Sequence, residues 1–145
     1  MVPADWNPID SLAVLMLAVA SADANADRAE LDAITLQIRG LVPKAPERAD
    51  MAVRRALDHW FTELTPGVTR DPAAWLVWHC EQIAARYPDK VRRRLVLDMV
   101  AVAKASGGAQ AAEIELAAGI AQAWELPALA EAMVEQFQRA RHPHG

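Results

Sequence analysis

The chain has 145 residues, the length of one domain that buries about two-thirds of its unfolded surface. Apolar residues make up 53% and charged residues 23%, which excludes the polar, strongly charged composition of a disordered chain. A net charge of −4 removes any broad electrostatic drive toward nucleic acid, and the single cysteine, Cys80, excludes an intrachain disulfide.

Alanine occupies 31 positions, against 6 glycines and 9 prolines, so the best helix former is abundant and the residues that punctuate β architectures are sparse. No period-2 alternation bounded by hairpin turns occurs. The expectation is an all-α fold: a single-domain bundle of about seven helices spanning 1–145.

The first predicted helix, 8–21, contains the apolar run Leu12 to Ala20. It looks superficially like the core of a secretory signal, but Asp5 and Asp10 precede it and the first basic residue is Arg28, whereas secretory segments carry positive charge at that point. A run of nine is also too short to span a bilayer, and the other long run, Leu95 to Ala103, is broken by Asp98. No export, no membrane span and a cytoplasmic location are expected.

Helices are predicted next over 28–39 and 47–64. Gly40 is placed to adopt a left-handed C-cap, with Pro43 and Pro46 preventing continuation. Asp71-Pro72 reads as an N-cap followed by proline at the first helical position, and Pro88 and Pro127 can serve the same way. Those signals open helices over 72–86, 88–105 and 127–140, with another over 111–124. The short links suggest that sequence neighbours pack as antiparallel hairpins.

An internal repeat appears when Leu12–Glu30 is laid over Leu95–Glu113 at an offset of 83: nine of nineteen positions are identical, including Met16/Met99 and Glu30/Glu113. Each copy reads as an apolar helix, a short polar turn and a second helix. Two such hairpins, 12–39 and 95–124, would pack as a pseudo-twofold pair because neither can bury its apolar face alone.

In the first turn, Asp23, Asn25 and Asp27 alternate, a pattern that brings oxygens toward one hard cation. An EF-hand is excluded, because Arg28 holds its glycine position and Ile34 the place of its closing glutamate. Spacing favours a structural role: Asp27 as N-cap and Glu30 three residues later form a capping box, with Gln110 and Glu113 in the equivalent places of the second copy.

The turn Ala22-Asp-Ala-Asn-Ala-Asp-Arg-Ala-Glu30 resembles the motif of the tellurite-resistance TerB-like family, which runs Ala-Asp-Gly-x-hydrophobic-x-x-x-Glu after an apolar helix; Ala105 to Glu113 follows the same frame. The resemblance covers nearly the whole chain. It implies an all-helical domain related to the N-terminal region of the DjlA co-chaperones, a role in stress and tellurite resistance, and no established catalysis. It further implies that Asp23, Asp27 and Glu30 hold a divalent cation, Ca²⁺ by their oxygen chemistry. The chain departs from the pattern at Ala24, where the glycine belongs, and at Ser106, where the aspartate belongs.

Other polar candidates have plain structural readings. His59 and Glu63 are four apart, and His79-Cys80-Glu81 follows on the next helix, yet no second ligand stands at paired spacing for zinc. Half-buried histidines beside Trp60 and Trp78 are expected, and Cys80 does not face His79 because helix neighbours diverge by about 100°. His142 and His144 fall in the tail.

Lys90, Arg92, Arg93 and Arg94 read as a solvated helix face, with no interleaved aromatics to stack bases. Trp75 and Trp78, at i, i+3, belong to a core, and the helices carrying Trp60, Trp75 and Trp78 are the candidates for contact with a protein partner. The functional expectation is a non-enzymatic interaction and stress-response module with weak divalent-cation binding. The alternative is a helical enzyme or small-ligand binder using a cleft between the repeats, with His59, Glu63 or Asp98 as its polar groups.

Overall fold

The computed structural model describes residues 4–20, 28–60, 62, 72–104 and 111–141. Among them stand seven α-helices and no strand: α1 Pro8–Ala20, α2 Arg28–Leu41, α3 Pro46–His59, α4 Pro72–Arg86, α5 Asp89–Ala103, α6 Ala111–Ala123 and α7 Pro127–Arg141. The expected all-α bundle is therefore observed. The internal repeat remains a relation of sequence, because the turns at Asp23 and Ser106 lie outside the described residues.

A helix that is apolar around its whole circumference has only one stable location, the centre of the bundle. Every residue of α1 from Asp10 to Ala20 is buried, and α1 packs against α2, α3, α4, α5 and α6. Leu12, Leu15 and Met16 are completely excluded from solvent, each contributing roughly 1.5–3 kcal/mol of burial free energy. One buried cluster joins α1 to Ile34 and Ile38 of α2, Ala49, Ala52 and Ala56 of α3, Ile83 of α4, Met99 of α5, Ile120 of α6 and Met133 of α7. None of the described helices is long and apolar enough to cross a membrane.

Sequence neighbours pack together in α2–α3, α5–α6 and α6–α7, but the main neighbour of α4 is α1 rather than α3. The local expectation of a hairpin at every link thus fails between α3 and α4, because a central helix buried on all sides must recruit both of them. Gly40 is a second correction. It lies inside α2, which runs on to Leu41, and the Val42 N–H closes the helix onto the Ile38 and Arg39 carbonyls at 3.3 and 3.2 Å. Helix α3 is regularly α-helical from Pro46 to His59 and continues in a wider, π-type turn at Trp60 and Thr62, the remainder of the predicted stretch to 64 lying outside the described residues; Pro88 is the N-cap of α5 rather than its first residue.

The end of α6 shows what Arg92 does. Trp124 is fully buried, and its indole N–H donates to the Cys80 carbonyl at 3.0 Å, tying α6 to α4. Beyond it, Glu125 N–H donates to Gln122 O at 3.0 Å and Leu126 N–H to Ala121 O at 2.8 Å, the paired bonds of a Schellman cap. Helix α6 has no basic residue in its own last turn. Arg92 of α5 supplies the positive charge, donating to the Trp124 carbonyl at 3.1 Å and pairing with Asp89. The basic run is therefore not one solvated face: Arg92 is spent on a helix C-terminus, where the dipole favours a cation, and Arg94 pairs with Asp98 at 3.2 Å.

The Schellman cap requires a left-handed residue, and here it is Glu125, at φ 62°. A residue with a Cβ is strained in that conformation by about 1–2 kcal/mol. Glu125→Gly is expected to raise stability by about 1 kcal/mol, after allowing for the greater freedom of glycine in the unfolded chain. Urea denaturation checks it, with an unchanged or lowered midpoint as the contrary result.

Candidate functional site: a polar core at the start of α1

The sequence Asn7-Pro-Ile-Asp10 builds a reciprocal cap. Pro8 occupies the first helical position, the Asn7 side-chain carbonyl accepts the Ile9 N–H at 2.9 Å, and Asp10 Oδ2 accepts the Asn7 N–H at 3.0 Å. Two donors left over at the helix start are satisfied in this way. Because α1 is central, the cap is carried into the interior, and the Asp10 side chain is wholly buried.

A buried carboxylate needs a charged partner. Arg48 of α3 provides a bidentate one, with Nη1 to Oδ1 at 2.9 Å and Nη2 to Oδ2 at 2.8 Å. Arg55, two turns further along α3, reaches Oδ2 at 3.3 Å and holds Asp5 at 2.5 Å. The Arg55 guanidinium lowers the pKa of the Asp5 carboxyl. Two carboxylates and two guanidiniums thus neutralise one another at the junction of the N-terminal segment, α1 and α3.

The next residue begins a second chain of contacts. Ser11 Oγ accepts the Trp6 indole N–H at 2.8 Å and lies 2.9 Å from His79 Nδ1 of α4. His79 Nε2 lies 3.0 Å from His59 Nε2 at the end of α3. The two ring centroids are 5.1 Å apart, so the nitrogens point almost straight at each other. That is the geometry of one shared proton, not of two lone pairs converging on an ion between them. His59 and His79 are 5% and 0% exposed, enclosed rather than half-buried as expected.

Indoles close the cage. Trp6 lies against both rings at centroid distances of 5.4 and 5.7 Å. Trp75 meets His59 edge-on at 5.0 Å, and Trp78 meets His79 edge-on at 5.0 Å. Burial, reinforced by the neighbouring His59, pushes the pKa of His79 down to about 3, so the ring is neutral at ordinary pH. Burial likewise pushes the Cys80 thiol up to about 12, with Glu81 adding to the effect.

Of the residues assigned to a cation, Glu30 is buried in the first turn of α2, as Glu113 is in α6. Asp23 and Asp27 lie outside the described residues, as does Glu63. No group of three or more His, Cys, Asp or Glu capable of holding a metal occurs among the described residues. His59 and Asp98 are engaged by different partners, His79 and Arg94. Asp10, Ser11 and Trp6 escape a reading that looks for catalytic motifs. The Asn-Pro-x-Asp box before an apolar run was the available signal for Asp10; none marks the meeting of His59 and His79, twenty residues apart on separate helices.

The central apolar helix, the satellite helices around it and a polar core turned inward define a small all-α bundle protein. The family model for "Tellurite resistance protein TerB" matches residues 10–141. The chain therefore belongs to the TerB family over nearly its whole length. No match to it was found among the curated proteins or among the solved structures.

Two outcomes are expected of this site. Asp10→Ala leaves two arginines facing each other without their buried counter-ion and should lower stability by about 3 kcal/mol, the low end for a broken buried pair because both guanidiniums keep about a fifth of their exposure. Asp10→Asn, which retains an acceptor for the Asn7 N–H, should cost less; equal urea midpoints for the two variants would contradict the assignment. For Cys80, labelling by a disulfide reagent at pH 8 should be undetectable in the native protein and rapid in denaturant, and fast native labelling is the contrary result.

Proposed function

We propose that this TerB-family chain is a non-enzymatic interaction and stress-response module whose α1–α2 turn holds a divalent cation weakly through Asp23, Asp27 and Glu30. The observation that carries the cation reading is the burial of Glu30: a carboxylate at 2% exposure stands at the start of α2, directly after the acidic turn. The donors are all oxygens, which suits Ca²⁺ rather than Zn²⁺. Three carboxylates are fewer than calcium requires, so water or backbone carbonyls complete the shell, as in weak calcium sites.

The inward polar core supports the non-enzymatic part. His79 uses Nδ1 on Ser11 and Nε2 on His59, so the ring is committed to packing rather than to a substrate. Val77, 52% exposed on α4 between the half-buried Trp75 and Trp78, is the apolar point that this reading offers to a protein partner.

Calorimetric titration tests the cation. Ca²⁺ should bind saturably with a dissociation constant of about 10⁻⁴–10⁻³ M, and Asp23→Asn and Asp27→Asn should each abolish it. Binding in the micromolar range that survives Asp23→Asn would put the site elsewhere on the chain.

A further inference from the structure

Helix α5 has two opposed faces. Leu95, Met99 and Val102 are buried in the core, while Lys90, Arg93, Arg94, Leu97, Ala101 and the C-cap Lys104 are exposed. These exposed residues fall within about 100° of helical arc and extend over about 21 Å. Lys90, Arg94, Leu97, Ala101 and Lys104 recur at alternating spacings of four and three, the seam by which one helix packs along another.

The seam is chemically divided. Its centre is apolar: Leu97 is 47% exposed, beside Ala101 and the half-buried Val100. Its ends are cationic, although the chain as a whole carries a net charge of −4. Arg92 is the member of the basic run that turns inward, to the Trp124 carbonyl, and Arg94 remains 77% exposed in its pair with Asp98. Lys90, Arg93 and Lys104 make no ion pair among the described residues.

Folding does not call for this arrangement. Lys90 stands in the first turn of α5, where the helix dipole disfavours a cation, and Leu97 is left outside the core cluster that Leu95 and Met99 join.

We propose that the outer face of α5 docks an acidic amphipathic helix of another protein, apolar in its middle turns and bearing carboxylates toward both ends. Charge complementarity selects this occupant. A two-fold pairing of α5 with a second copy would set the basic N-terminal end of each helix against Lys104 of the other, like charge on like. A nucleic-acid backbone is anionic throughout and offers no apolar group to Leu97. A helix that lies in a lipid surface presents a broad apolar face with bulky side chains, whereas a single leucine is exposed on this one. The inference rests on the interaction reading above, but neither the cation turn nor Val77 belongs to this face, so the cation reading and the docking face stand or fall in separate titrations.

Nitrogen-15 NMR of the full chain, titrated with an acetylated and amidated synthetic helix, reads the docking. The peptide has about 18 residues, enough to span the seam, with leucine and alanine in its central turns and glutamate in its outer ones. At low salt it should bind saturably, shift the amide signals of Lys90 to Lys104, and weaken as salt is added. Lys90→Glu should weaken binding about fivefold while the melting temperature holds or rises, because the helix dipole favours the new carboxylate. Leu97→Ala should weaken binding by a similar factor with the helical circular dichroism kept. An absence of saturable binding, an affinity that neither variant changes, or shifts centred away from α5 would overturn the proposal. Tighter binding to phosphatidylserine vesicles, to duplex DNA or to the same peptide with lysine in place of glutamate would overturn it as well.

Discussion

The constraint on which the structure depends is that its most apolar helix begins with a charge. A helix start leaves backbone donors without intrahelical partners, and at a surface water satisfies them. Helix α1 is central, so the protein itself must satisfy them. Asp10 does so from a fully buried position, and a buried carboxylate in turn requires the bidentate guanidinium of Arg48. The register of α3 against α1 follows, since Arg48 must arrive at Asp10 for Ala49, Ala52 and Ala56 to pack into the core.

From that anchor the neighbouring contacts become connected. Ser11, one residue along, faces α4 and meets His79, while Arg55 and His59, one turn apart on α3, face the N-terminal segment and α4 respectively. The charged and the neutral parts of this polar core are kept separate. The charges pair among themselves at the edge, where the arginines are partly hydrated, and the neutral ring of His79 lies with His59 under indole rings. A buried polar network is stable only when its members are satisfied, and this division satisfies them with few side chains.

The same physics operates at the C-terminus of α6. Helix α6 lacks a basic residue in its last turn, and Arg92 from α5 supplies the cation that its exposed carbonyls favour. Trp124 fills the space beneath and ties α6 to the Cys80 carbonyl. Side chains that look in isolation like a basic surface and a spare aromatic are thus committed to joining three helices.

Composition and patterning were enough to specify an all-α chain and its seven helices, because helix propensity is a local property. The resemblance of the Ala22 to Glu30 turn to the TerB family was also present in the sequence. The continuation of α2 through Gly40 to Leu41 was not, since glycine tolerates a helical interior when packing favours it. Nor were the pairing of His59 with His79, the charge cluster at Asp10 or the commitment of Arg92 to α6. Each of these joins residues on different helices, and their proximity is decided by how a helix buried on every side recruits its neighbours, which only the tertiary structure settles.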